Sequence, residues 1–344
     1  MHQALYQALP ELLLPWYAGT ARDLPWRHDR EPYHVWLSEI MLQQTRVEAV
    51  KGYYNRFLTA LPTIEQLANA EENLLLKLWE GLGYYNRVRN LQKAAQIITD
   101  EYGGRFPQRY ADILALPGIG TYTAGAIASI CFEQPTPAVD GNVLRVIARL
   151  TEDFAVIDTP QKKREITAAL AAVYPAGHCG AFTQSLMELG AVVCVPNGVP
   201  NCAACPLEPL CRAHKNGTEQ LLPVRKEKKA RRLEARTVFI LTCGDKLAVR
   251  KRAPHGLLAG LWELPNQKGK LDERQAAASA AEWGVQPAAL EKVLHRRHIF
   301  THVEWQMTCY AFRCLHEADT FFWADADDLK QHIALPTAFQ ICLE

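Results

Sequence analysis

Leu116-Pro117-Gly118-Ile119-Gly120-Thr121-Tyr122-Thr123-Ala124 is the stretch that decides the fold. It reads as a helix, a tight turn and a second helix. Gly118 and Gly120 let the backbone turn sharply and approach another chain closely. The first turn of the second helix leaves N–H groups without intrahelical partners, and such groups bind phosphate well. Leu116, Gly118, Gly120 and Thr121 are therefore candidate backbone-gripping residues. An ordinary helix–helix turn would use the same residue types, so the surrounding sequence must decide.

Outward from this hairpin, residues 1–215 read as mostly helical, within a first domain over 1–224. Val35–Thr45, Glu71–Leu82, Arg87–Tyr102, Tyr122–Cys131 and Val143–Leu150 place apolar side chains three and four apart. Gly83, Gly103-Gly104, Pro117-Gly118, Pro135 and Pro137 punctuate them. Residues 225–236 carry seven basic and two acidic side chains and read as a linker, either plainly solvated or in contact with phosphate. Beyond it, Thr237–Thr242 and Lys246–Arg250 are short β-branched or apolar runs around Cys243-Gly244-Asp245, a hairpin signal. An Ala-rich helix at Leu271–Trp283 and later strands near Lys292–Leu294, Val303–Arg313 and Thr320–Trp323 complete a small α+β domain over 237–344.

At 344 residues the chain has room for about two domains. Residues 1–224 hold 19 basic and 22 acidic side chains and the overall net charge is +1, so composition alone does not announce a nucleic-acid binder. No segment reads as a membrane span or a signal peptide, and a cytoplasmic monomer is the expectation.

Four of the ten cysteines crowd into 194–211. Cys194, Cys202, Cys205 and Cys211 are separated by seven, two and five residues, in a loop stiffened by Pro196, Pro200, Pro206 and Pro209. Four thiolates at short range suit a 4Fe-4S cluster or a zinc ion. Structural zinc more often shows two Cys-x2-Cys pairs, and the single pair here favours iron–sulfur.

Two carboxylates stand out. Glu39 shares a helix face with Trp36, Leu42 and Gln43. Among such neighbours a carboxyl would be desolvated and its pKa raised, which suits a general acid; on an open amphipathic helix it would simply be solvated. Asp140 precedes the Val143–Leu150 helix as an N-cap, where backbone N–H groups would keep it ionised with a lowered pKa. A protonated acid opposite an ionised carboxylate is the division of labour that glycoside cleavage needs.

Together these pieces resemble the helix–hairpin–helix DNA glycosylases with an iron–sulfur cluster, and within them the MutY-type adenine DNA glycosylases. The matching stretches are Pro25-Trp26-Arg27, Trp36–Thr45, Gly81–Asn90, Leu116–Ala124, Val139–Val143 and the cysteine loop, with weaker matches at Gly260–Pro265 and His298–His302. The resemblance implies two helical modules, one a six-helix barrel carrying the hairpin and the other joined to the cluster segment, followed by a Nudix-like domain. It implies a 4Fe-4S cofactor and, as partner, duplex DNA with adenine opposite 8-oxoguanine or guanine. Glu39, Asp140, Tyr122 and Asn142 would be catalytic. Trp26, Arg27, Leu42 and Gln184 would contact the flipped base, with core packing the plainer role for Trp26, Leu42 and Tyr84. Gln43, Gln44, Tyr84 and Arg87 would contact the duplex.

Phe300, Thr301 and His302, between two strands, would recognise the oxidised base, unless Phe300 is core and His302 merely exposed. The Ala-rich Ala276–Trp283 segment lacks the glutamates that hold magnesium in Nudix hydrolases, so nucleotide hydrolysis is not expected. Two departures from the family's pattern are a first cysteine gap one residue longer than usual, expected to bulge the loop, and Leu144 where a basic residue is common, which puts one DNA contact in doubt.

Overall fold

The computed structural model describes residues 2–227 and 230–344. Lys228 and Lys229 of the basic segment, with any phosphate contact they make, lie outside the described residues. The chain forms two compact units, residues 1–69 with 90–227, and residues 70–89 with 228–344. The 70–89 segment thus packs with a unit that follows it by well over a hundred residues.

The first unit is helical, as the apolar spacing predicts. The Tyr110–Ala115 helix ends at buried Leu116, and the Thr121–Phe132 helix begins after Gly120. Gly118 makes the turn at φ +78, and a Cβ there would stand 2.7 Å from Asn90 Cβ. Gly120 differs from expectation: its φ is −96, ordinary extended backbone with open space around it, so the turn does not require glycine at this position. The new helix has no side-chain cap, and Gly120 and Thr121 at its start are exposed, so its first N–H groups are left without a side-chain partner. Residues 123–130 of that helix are all buried, against the Pro32–Met41 and Cys179–Val192 helices. The latter also packs on the Gly141–Thr151 helix, whose Val143, Leu144, Ile147 and Leu150 enter a common core with Phe182, Leu186 and Leu189.

In the second unit the expected Glu71–Leu82 helix stops at Leu78, because Gly81, Gly83 and Tyr84 all adopt positive φ (+96, +70 and +50) and turn the chain. The sheet contains β1 (Arg232–Cys243), β2 (Lys246–Lys251), β3 (Trp262–Glu263), β4 (Asn266–Lys268), β5 (Pro287–Ile299), β6 (Val303–Cys314) and β7 (Phe322–Ala324). Its main order is β3-β2-β1-β6-β5, with β4 on β1 and β7 on β2. The expected hairpin is present, with Thr242 opposite Leu247 and Cys243 opposite Lys246. The linker expectation fails over residues 232–236, which open β1 and run parallel to Val303–Met307 of β6. Burial grows along the strand: Arg232 and Arg236 share a face, Arg232 is exposed at its start, and Arg236 is buried over the Trp305 ring at 4.1 Å. One sheet face is covered by the Glu273–Glu282 helix through Ala276 and Ala280, the other by the Thr337–Leu343 helix through Phe339. Among the described residues no helix is long and apolar enough to cross a membrane.

Candidate active site

Glu39 lies near the end of the Pro32–Met41 helix and is only 7% exposed. It borders a cavity of about 360 Å³ that Trp26, Leu42, Tyr122, Asp140 and Gln184 also line. Tyr122 Oη donates to Glu39 Oε2 at 2.7 Å. Burial pushes the Glu39 carboxyl up to about 7; the Asp140 charge adds to the rise, and the tyrosine hydrogen bond and the Arg27 charge oppose it.

Asp140 caps the Gly141–Thr151 helix. Its Oδ1 accepts from Asn142 N (2.9 Å) and Val143 N (2.8 Å), and its Oδ2 from Asn142 Nδ2 (2.7 Å). The expected lowering of its pKa is not found. Burial lifts it above the ordinary value, against the N–H bonds from Val143 and Asn142. Desolvation by the surrounding protein outweighs the cap. Asp140 nevertheless accepts three hydrogen bonds where Glu39 accepts one from Tyr122, so Glu39 is the better holder of a proton.

Sequence reasoning missed the residues that hold this pair. Arg145, 3% exposed, donates through Nη2 to Asn142 Oδ1 (2.8 Å) and Gly190 O (2.7 Å), and through Nε to Cys194 O (2.7 Å). One turn on, Arg149 Nη1 reaches Cys194 Sγ at 3.3 Å and Val195 O at 3.0 Å. The signal was present: two arginines four apart in an otherwise apolar helix must find buried partners. Glu188 was also missed. It is fully buried; burial alone would raise its carboxyl, but hydrogen bonds from Arg22 and Arg27 pull it down to about 2. It fixes Arg27 at the cavity wall, with Nη2 at 2.8 Å.

Trp26 is buried edge-on to Tyr54, and Gln184 accepts from Tyr17 Oη at 3.1 Å. Gln43 and Gln44 line the cavity, Gln44 at φ +61. Leu144 is core, so its position carries no outward contact. In the other unit, Tyr84 is exposed and its Oη lies 2.9 Å from Thr301 Oγ1. Arg87 turns inward, donating to Leu82 O (2.9 Å) and Gly83 O (3.1 Å) beneath the Tyr84 ring. Phe300 is half-buried, its ring edge-on to His298 and Trp305, so it anchors the loop while Thr301 and His302 form the exposed tip.

The four clustered cysteines line one small pocket with Arg149 and His214. The longer first gap is taken up by a turn with Gly198 at φ +79 and Asn201 N bonded to Val193 O at 3.1 Å, the bulge expected. Burial, reinforced by the neighbouring thiols, pushes Cys202 up to about 11 and Cys205 up to about 12. Backbone N–H groups of Leu207, Ala213 and His214 point at the sulfurs of Cys205 and Cys211 and favour their thiolates. Cys202, His214 and Glu219 form a second possible metal set, with ligand atoms within 4.8 Å of one another. Glu219 already holds His214 Nδ1 at 2.6 Å, which makes that set an ion pair beside the cysteines.

Residues 37–175 match the family described as HhH-GPD superfamily base excision DNA repair protein, and residues 237–344 match the NUDIX domain. An adenine DNA glycosylase of Rattus norvegicus is 35% identical, over 87% of this chain and 69% of that protein. One of Buchnera aphidicola is 31% identical, over 97% of this chain and 96% of that protein. Among solved structures, a thermostable thymine-DNA glycosylase superposes with a TM-score of 0.57 at 28% identity, covering 63% of this chain and all of that one. A non-covalent endonuclease III–DNA complex gives 0.52 at 25% identity, over 62% of this chain and 97% of that one.

Gly190 tests how tightly the Asp140 cap is held. A Cβ there would lie 2.6 Å from Asn142 Cβ and 3.1 Å from its Cα. Gly190→Ala is expected to displace Asn142 and lower single-turnover base excision about tenfold or more, with a stability loss of about 1–3 kcal/mol in denaturant melts.

Proposed function

This chain belongs to the adenine DNA glycosylases of the HhH-GPD superfamily, and from that premise we propose that it hydrolyses the N-glycosidic bond of adenine mispaired with 8-oxoguanine or guanine, leaving an abasic site. The observation that carries the reading is the buried Glu39, protonated near neutral pH, facing the same cavity as the thrice-bonded Asp140.

The glycosidic bond is unreachable in a stacked duplex, so adenine must rotate into the cavity. The N–H groups after Gly120 hold the phosphate backbone while it does so. Trp26, Leu42, Arg27 and Gln184 receive the base. Tyr122 occupies Glu39 Oε2, which leaves Oε1 to carry the proton delivered to adenine N7. Protonation improves the leaving group, and the sugar acquires oxocarbenium character as the bond lengthens. Asp140 stabilises that charge, with Asn142 fixing its orientation, and water completes the hydrolysis. A lyase would need an amine to form a Schiff base. Tyr122 stands where such a lysine would come from the hairpin, and among the described residues lining the cavity there is no lysine. The reaction therefore stops at the abasic site.

The cysteine donor set fits a 4Fe-4S cluster: four sulfurs in one pocket, N–H groups directed at two of them and Arg149 at a third. Cys194, Cys202, Cys205 and Cys211 would hold the group, which ties the loop together and places no chemistry in the base cavity. The second unit reads the partner base. An enzyme that removes an undamaged base must check what lies opposite, and Thr301 and His302 present hydrogen-bonding groups at an exposed tip. The Glu273–Glu282 helix turns Ala276 and Ala280 into the core and supplies no central glutamates, which supports recognition without nucleotide hydrolysis.

Glu39 works as an acid only while protonated. Single-turnover excision should hold below about pH 7 and fall as pH rises through that value, and Glu39→Gln should lose about 10²–10⁴-fold below that pH, and progressively less above it, while still binding DNA. A flat profile through neutrality would remove Glu39 from the role. Purified protein should be brown with about four irons per chain; colourless protein carrying stoichiometric zinc after anaerobic preparation would contradict the cluster. Thr301→Ala with His302→Ala should shrink the preference for 8-oxoguanine over guanine while preserving adenine excision. An unchanged ratio of the two rates would place recognition elsewhere.

A further inference from the structure

Lys77 and Glu80 are less than one-fifth exposed. Lys77 Nζ donates to Glu80 Oε2 at 2.6 Å, Leu329 O at 2.8 Å and Ile333 O at 3.2 Å. Those three acceptors match the three donors of an ammonium. Glu80 Oε1 in turn accepts from Leu335 N at 2.8 Å. The two carbonyls lie at the C-terminal end of the Ala326–Gln331 helix, where backbone partial charge is negative and a cation is favoured. A lysine and a glutamate from the 70–89 segment thereby cap and brace the 329–335 connection, more than two hundred residues away in the chain.

A second fastening lies at the other end of the segment. Arg89 Nη1 donates to Ala259 O at 2.9 Å and Arg89 Nε to Glu72 Oε1 at 2.9 Å. Between the fastenings the loop is stitched to itself, with Trp79 Nε1 donating to Gly83 O at 3.1 Å and Arg87 bonding the Leu82 and Gly83 carbonyls. Tyr84 stands at its tip, 49% exposed, with its hydroxyl 2.9 Å from Thr301 Oγ1. A hydrogen bond between two solvent-exposed hydroxyls contributes little net stability and does not by itself hold two loops in register. The half-buried charged contacts around Lys77 and Arg89 are the stronger restraints.

We propose that Lys77 and Glu80 are positioning residues that set the discrimination between 8-oxoguanine and guanine opposite adenine, by fixing Tyr84 in register with Thr301 and His302. This rests on the reading of the second unit as the one that checks the partner base. The pair touches no base. It decides whether a stacking ring and a hydrogen-bonding tip, from two distant stretches of sequence, meet the same nucleotide as one surface. Without Lys77, two carbonyls and the Glu80 carboxylate lose their donor, and the loop shifts to find water.

The test uses the full-length protein and measures single-turnover adenine excision opposite 8-oxoguanine and opposite guanine. Lys77→Met should lower the ratio of the two rates about tenfold while the rate opposite guanine stays within about twofold, and Lys77→Arg should restore most of the ratio. Glu80→Gln keeps an acceptor for Leu335 N but loses the charge facing Lys77, and should lower the ratio about threefold. Equal losses on both duplexes would make the pair merely structural and overturn the proposal. So would an unchanged ratio in Lys77→Met and Glu80→Gln when Thr301→Ala/His302→Ala lowers it. An unchanged ratio in that last variant as well would overturn the underlying reading and the proposal with it. If Lys77→Met fails to fold, Glu80→Gln decides by the same criteria.

Discussion

The site in the first unit depends on one buried cation. Arg145 sits in an apolar helix with 3% of its surface exposed, and a guanidinium so placed must have its donors satisfied. Its partners are Asn142 Oδ1, Gly190 O and Cys194 O, with a longer contact to Gly141 O at 3.3 Å. One side chain therefore ties together the amide that orients Asp140, the close approach of the Cys179–Val192 helix and the first residue of the cysteine loop. Any movement of that loop is felt at Asn142, and through Asn142 Nδ2 at Asp140 Oδ2. The cysteine segment and the carboxylate cap are two ends of one hydrogen-bonded chain, which explains how a loop that reaches no substrate still bears on the geometry of the cavity.

The same economy separates the two carboxyls. Both are desolvated, and both are lifted by it. They differ in what stabilises the charged form. Asp140 has two backbone N–H donors and an amide, whereas the donor identified at Glu39 is a single phenol. Burial without donors stores a proton; burial with donors holds an anion ready. Glu188, with two arginines, marks the far extreme and shows that this cavity sets ionisation by hydrogen-bond supply rather than by exposure.

The sequence was most legible where local chemistry dictates structure. The turn at Gly118, the Asp140 cap, the cysteine spacing and the Cys243–Lys246 hairpin are all decided within a few residues, and each appears as expected. It was least legible where tertiary packing overrides composition. The charged run at 232–236 looked like solvated linker because what makes it a strand is its pairing with β6 and the burial of Arg236 over Trp305, neither of which its composition announces. Arg145, Arg149, Arg22 and Glu188 were passed over because charged residues are usually solvated, and their partners lie tens of residues away. Phe300 looked available to the oxidised base because the rings beside it, His298 and Trp305, lie on two strands whose pairing periodicity alone does not establish. The grouping of 70–89 with the C-terminal sheet had no local signature at all.

Backbone strain points to the same functional division. Among the described residues, five that are not glycine have positive φ: Gln44, Tyr84, Glu133, Glu152 and Leu258. Glu133 and Glu152 terminate helices, where a left-handed residue is routine. Gln44 and Tyr84 end no helix, and each such residue costs on the order of 1 kcal/mol or more and persists only where its surroundings enforce it. At Tyr84 the enforcement is visible, in the Trp79 and Arg87 bonds to the loop carbonyls and in the fastenings beyond them. A loop shaped only for packing would relax a tyrosine out of this conformation and bury the ring. This one holds the ring exposed beside Thr301, which agrees with the contact to DNA proposed for it. Gln44 is likewise held at positive φ, among the residues that line the cavity bordered by Glu39 and Asp140.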